Sequence, residues 1–146
     1  MDYKEGTFRE KLVEVHHTYW HKAWLRLSRK MSALKSSLKR RSKEAGVEFN
    51  IELNDIKKMF YDIYGKKCKY CNEVLNIRTI ACDHIIPITK GGASTPDNLQ
   101  LICKRCNTRK GPLDECDYET VVKWVRRQSD EVRTYLMKKL AKGGKY

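Results

Sequence analysis

Apolar side chains recur at helical intervals through the first third of the chain. Phe8, Leu12, Val15 and Tyr19 form one stripe, and Trp20, Trp24, Leu27, Met31, Leu34 and Leu38 form a second, in steps of four and three. This spacing predicts one long helix, or two in succession, over residues 7–44, broken at Gly46. A short extended piece follows in "AGVEFNIELND". Asn54 then caps a helix over residues 55–64 that ends at Gly65, with Ile56, Met59, Phe60 and Ile63 turned to the core. The period then shortens. "NIRTIACDHIIPI" is rich in isoleucine with β-branched neighbours and predicts a strand or hairpin arm. "TKGGASTPDN" is a loop, given Gly91, Gly92 and Pro96, and "LQLIC" is a short strand. "KRCNTRKG" forms a helical turn ending at Gly111. After Pro112, Asp114 or Asp117 caps a helix to about residue 127, and Ser129 or Asp130 caps a last one to residue 139. Val132, Tyr135, Leu136 and Leu140 should face inward there, and the final "AKGGKY" should be disordered. No internal repeat is present.

Composition limits this picture to one domain, or one small domain with extensions, in 146 residues. With 40% hydrophobic and 34% charged residues, the core cannot be large. The formal charge of +13 and pI near 9.5 favour a polyanionic partner, nucleic acid first and an anionic membrane second. No apolar run is long enough to span a membrane, and "MDYKEGTFREK" lacks the hydrophobic stretch of a signal peptide. A reducing cytoplasm, bacterial or that of a phage-infected host, is therefore expected. The charge is concentrated. No acid stands between Glu14 and Glu44, while Lys22, Arg26, Arg29, Lys30, Lys35, Lys39, Arg40, Arg41 and Lys43 do. Most charge runs are solvated helix faces. A run of one sign gains nothing from internal pairing, so an external anion explains it better. Arg26, Arg29 and Lys30, on neighbouring turns, are the candidates to follow a DNA backbone. His17 and His21 are four apart but have no third ligand nearby, and carry no metal reading.

A reducing compartment leaves six cysteines to be explained without disulfides. Four form two Cys-x-x-Cys pairs, Cys68 with Cys71 and Cys103 with Cys106. One such pair alone could be a redox motif, but no thioredoxin-like βαβ pattern surrounds either. Two pairs complete a tetrahedral thiolate set for a structural zinc ion. Cys82 reads as a buried thiol, and Cys116 has no assigned role.

Between Cys68 and Gly111 the chain carries "CKYC … DHIIP … GG … DN … CKRCN-x-x-K". This pattern resembles the ββα-metal, or HNH, nuclease family, in the zinc-stapled variant of many bacterial and phage members. The resemblance implies an α+β fold: a small ββα-metal finger stapled by a four-cysteine zinc site, flanked by N- and C-terminal helices. On that reading residues 1–47 are a basic helical region, 48–113 the nuclease domain, and 114–146 C-terminal helices with a tail. It further implies that His84 is the general base and that Asp83 and Asn107 bind a catalytic magnesium or manganese ion. Asn98 would hold the loop so that a backbone carbonyl orients the His84 ring. Lys110, one turn beyond Asn107, would reach the scissile or an adjacent phosphate, with Arg109 nearby. The family's last motif position is often His, and members with Asn there are active.

The chemistry agrees with these residue types. Phosphodiester hydrolysis needs a deprotonated water, neutralisation of the phosphate and help for the leaving 3′ oxygen. A neutral His suits the first near pH 7, and a hard divalent cation on oxygen ligands suits the others. The expected function is a metal-dependent endonuclease acting on double-stranded DNA, monomeric or homodimeric. One such site cleaves one strand. The alternative is a zinc-stapled DNA-binding module without chemistry, which would not need Asp83, His84 and Asn107 together. Homing, restriction, phage packaging and non-specific cleavage all stay open.

Overall fold

The computed structural model describes residues 5–141, with side chains from residue 7 onward. Helix α1 spans Glu5–His16 and α2 spans Trp20–Ala45. His17 separates them with a positive φ of 51° and opens a 3-10 turn, His17–Tyr19. The first apolar stripe ends before that turn. Phe8 and Leu12 are fully buried, whereas Val15 and Tyr19, expected on the same face, are exposed. His16 faces inward instead, with its Nε2 2.6 Å from the Tyr64 hydroxyl. The second stripe holds, with Ala23, Leu27, Met31 and Leu38 buried along α2 and Ser42 buried one turn further on. Gly46, with a left-handed φ of 66°, closes α2 by returning its N–H to the carbonyl of Lys43.

Helix α3, Leu53–Ile63, buries Ile56 and Phe60. Its cap is Glu52, not Asn54. The Asp55 carboxylate accepts the Glu52 N–H at 2.8 Å, and this reciprocal box starts the helix earlier than an Asn54 cap would. Strands β1, Ile80–His84, and β2, Leu99–Cys103, pair antiparallel from Ile80 opposite Cys103 to His84 opposite Leu99. β2 runs directly into α4, Lys104–Lys110, completing a ββα unit. Asp114 caps α5, Glu115–Arg126, and Ser129 caps α6, Asp130–Leu140. In α6 Leu136, Met137 and Leu140 are half-buried apolar residues, Leu136 and Leu140 along a groove shared with the end of α4. Val132 and Tyr135, expected inward, are 43% and 59% exposed, and neither lines that groove. The last residues of the "AKGGKY" run, 142–146, lie outside the described residues.

One hydrophobic cluster draws from α1, α2, α3, both strands, α4 and Tyr118 of α5. The ββα unit is therefore seated on the N-terminal helices rather than hung from them. Among the described residues no helix is long and apolar enough to cross a membrane.

Candidate active site and metal centre

The turn before β1 and the junction of β2 with α4 bring the four paired cysteines together. A short bridge between Lys67 and Val74 folds the first pair into a tight turn, in which the Cys68 N–H donates to the Glu73 carbonyl at 2.8 Å. Cys103 ends β2 and caps α4, its Sγ accepting the Cys106 N–H at 3.3 Å. All four sulfurs lie within 4.8 Å of one another. A tetrahedral zinc with Zn–S bonds of about 2.3 Å requires sulfur separations of roughly 3.8 Å, so the donor set fits. The hydrogen bond from Cys106, aided by backbone N–H groups, pulls Cys68 down to about 4, and the same bond pushes Cys106 up. One proton thus serves one pair of sulfurs, where a divalent cation would let all four ionise.

Asp83, His84 and Asn107 converge on a second site, a pocket of about 210 Å³ that Arg41 and Cys82 also line. Asp83 and His84 end β1, each 6% exposed, and Asn107 lies in the middle of α4, half-buried. The Asp83 carboxylate accepts from Gln100 Nε2 at 2.9 Å and from Lys110 Nζ at 3.1 and 3.2 Å. Burial pushes the Asp83 carboxyl up, and Gln100 and Lys110 pull it back. Burial holds the His84 imidazole down to about 4, helped by the Arg41 and Lys110 charges, so the ring is neutral at physiological pH. Cys82, expected buried, is half-buried at the pocket wall, where desolvation and the neighbouring Asp83 charge push its thiol up to about 12.

Asn98 closes the loop between the strands. Its Oδ1 accepts the Ile86 N–H at 2.9 Å, and its Nδ2 donates to the carbonyls of Ile86 and Ala93 at 3.0 and 2.9 Å. Gly92 packs against this clasp so closely that a Cβ there would stand 1.7 Å from the Ile86 carbonyl oxygen. The ring partner of His84 differs from expectation, however. His84 Nε2 lies 3.0 Å from the Ser94 hydroxyl, not against a backbone carbonyl, because the clasped loop turns that hydroxyl inward. The Ser94 Oγ is in turn 2.7 Å from Ser42 Oγ on α2.

Three basic residues also stand elsewhere than expected. Lys110 is 1% exposed, its Nζ donating to Asp83, to the His84 carbonyl at 3.0 Å and to the Leu113 carbonyl at 2.8 Å. It braces the site from within and presents nothing to a phosphate outside. Arg109 lines the groove between α4 and α6, away from Asn107, with its Nε buried and unpartnered. Lys30 donates to the Ile80 carbonyl at 2.6 Å and to that of Ile77 at 3.3 Å, tying α2 to the start of β1. Arg26 and Arg29 remain exposed and share an open concavity with Arg78 and Lys104 of the finger.

Sequence reasoning had Arg41 only as part of a charge run, and missed Ser42, Ser94, Gln100, Arg78 and Lys104. One signal was present. Ser42 continues the stripe Leu27, Met31, Leu38 at helical spacing, a hydroxyl where an apolar side chain belongs. The buried polar side chains among the described residues, Ser42, Asp83, His84, Ser94 and Lys110, all belong to this one site.

Residues 68–113 match the family model described as HNH endonuclease. The resemblance read in the sequence is thus borne out over that segment, as is the α+β finger. No curated protein matches the chain. Among solved structures it is similar to the Type II-C Cas9 enzyme from Actinomyces naeslundii, at 23% identity and a TM-score of 0.38, over 80% of this chain and 16% of that one. The chain thus spans about a sixth of that protein's length.

Proposed function

We propose that this protein is a metal-dependent DNA endonuclease whose reaction centre is the pocket of Asp83, His84 and Asn107. The observation that carries the reading is their convergence at one opening, with a neutral imidazole beside a carboxylate and an arginine at the rim. A protein that only gripped DNA would need none of this.

His84 takes the proton from the attacking water. Its Nε2 is engaged by Ser94, so Nδ1 is the nitrogen left to act. Asp83 and Asn107 offer the oxygens that would hold magnesium or manganese, which when bound neutralises the phosphate and assists the leaving 3′ oxygen. Gln100 and Lys110 fix the Asp83 carboxylate in its orientation. Arg41 offers its guanidinium to the phosphate under attack. A zinc ion on Cys68, Cys71, Cys103 and Cys106 staples the finger, and a reducing compartment keeps those thiols free to bind it. The duplex is gripped outside the pocket by Arg26, Arg29, Arg78 and Lys104, whose phosphate contacts release counterions. A single chain then nicks one strand, and a double-strand break needs two chains or two visits.

Supercoiled plasmid incubated with the zinc-loaded protein, with and without magnesium, tests the reading. Magnesium-dependent conversion to open circles is expected. Retarded but uncut plasmid under both conditions would leave a DNA-binding module without chemistry.

A further inference from the structure

We infer that Ser94 and Ser42 are positioning residues for His84, and that helix α2 thereby completes the reaction centre from outside the segment that matches the nuclease family. The inference rests on His84 being the general base, but its geometry stands by itself.

Ser42 occupies a core position. It lies one turn after Leu38 on the buried face of α2 and is itself fully buried. Burying a hydroxyl there is unfavourable unless it finds a partner, and an alanine would avoid the cost. Its partner is the Ser94 hydroxyl, 2.7 Å away and equally buried. Ser94 is also held through its backbone. Its N–H donates to the Glu48 carbonyl at 2.8 Å, and its carbonyl accepts the Asn50 N–H at 3.0 Å. The chain leaving α2 thus fixes the Ser94 backbone, and Ser42 fixes its side chain. At the end of this line stands His84 Nε2, at 3.0 Å.

A carbonyl in the place of Ser94 could only accept, and would by itself keep the hydrogen on Nε2. A hydroxyl both donates and accepts, so alone it would permit either ring tautomer. The second hydroxyl fixes where that oxygen stands. The Ser42 hydroxyl donates to the Ser94 oxygen at 2.7 Å, which sets the direction of the Ser94 side chain and so the point at which it meets His84 Nε2. The two serines therefore make the setting of the base depend on a helix remote from it in sequence.

Ser94→Ala and Ser42→Ala in the full-length, zinc-loaded protein test this, since each removes one oxygen and little else. Plasmid nicking gives kcat and KM, and nitrogen-15 spectra of the imidazoles, with His84→Ala used to assign the His84 ring, give its tautomer without any need for cleavage. For Ser94→Ala the expectation is a kcat lower by about tenfold to a hundredfold with KM within about twofold, and a ring whose balance of tautomers shifts. Ser42→Ala should show the same pattern with a smaller loss, about threefold to tenfold. A serine pair that merely held α2 against the loop would lower thermal stability and leave the ring spectrum unchanged. An unchanged spectrum in Ser94→Ala, or a wild-type kcat beside an inactive His84→Ala, overturns the proposal. If instead His84→Ala cleaves normally, the general-base reading fails, and the spectra alone decide whether the serines set the ring.

Discussion

The sulfur cage and the oxygen-lined pocket stand at opposite extremes, although α4 serves both. In the cage four donors close on one another, three of them buried, within 4.8 Å. In the pocket the donors are few, and they open onto about 210 Å³ shared with Arg41. A closed donor set leaves no position for a substrate, so all of its binding free energy goes into folding. An open set leaves room for water and phosphate and stabilises the fold little. On the proposed reading the same helix separates a structural task from a chemical one by a single residue, Cys106 to Asn107.

Substitution of the cage should have the largest effect and erase the contrast, because both sites go with it. Cys106→Ser should lose zinc and the cooperative melting of the finger, with no cleavage left. Elemental analysis and circular dichroism read this, and a folded, zinc-free protein would sink the assignment. His84→Ala should sharpen the contrast. Zinc content, fold and DNA affinity should stay, while cleavage falls by a factor of about a hundred to ten thousand, with no rescue by manganese. Near-wild-type nicking by that variant would falsify the general-base role.

Lys110 tests whether the pocket is braced from within. Lys110→Met leaves the buried Asp83 carboxylate without its cation, and should cost about 3–5 kcal/mol in urea denaturation. A loss under about 0.5 kcal/mol would mean the side chain is a surface one after all. The smallest effect concerns pH. Burial and two cations disfavour the charged imidazole, so the neutral base persists as pH falls and is lost only towards pH 4. Cleavage should stay level from pH 8 to about 5, where an ordinary histidine would already fail near 6.5. Arg41→Ala removes one of those cations and should move the acid limb upward by less than about one pH unit. A limb at 6.5 in the wild type contradicts this account of the pocket.

Much of this was legible because it is local. The strand "LQLIC" appears as β2 at Leu99–Cys103, and the helical turn before Gly111 as α4, since a short apolar run after a loop and a glycine stop are written in adjacent residues. The cysteine pairs and the Asp83–His84–Asn107 set were legible because each residue type has few other reasons to be there. The failures are long-range. Nothing near Lys110 says that it is buried, because its carboxylate partner lies 27 residues away. Lysine reads as surface by default. Lys30 failed likewise, its carbonyl partners being 47 and 50 residues distant. In α1 the stripe was right up to Leu12 and wrong beyond: Val15 is exposed within α1 itself, where His16 takes the inward place, and Tyr19 follows the left-handed residue His17, which resets the helical phase. Ser42 was the missed opportunity, a polar letter in an apolar register.

The adjacency of Cys106 and Asn107 also sets a mechanical tolerance. α4 has only seven residues, and the cage holds it at Cys103 and Cys106, its cap and third residue. A tilt of about 10° at that clamp would swing the end of a side chain roughly 6 Å from the helix axis by about 1 Å, a misplacement able to slow a reaction a hundredfold. The clamp therefore acts as a tool-holder more than a rivet. Its worth is counted in ångströms of wobble at the cutting edge, and a substitution that leaves the protein fully folded could still blunt it.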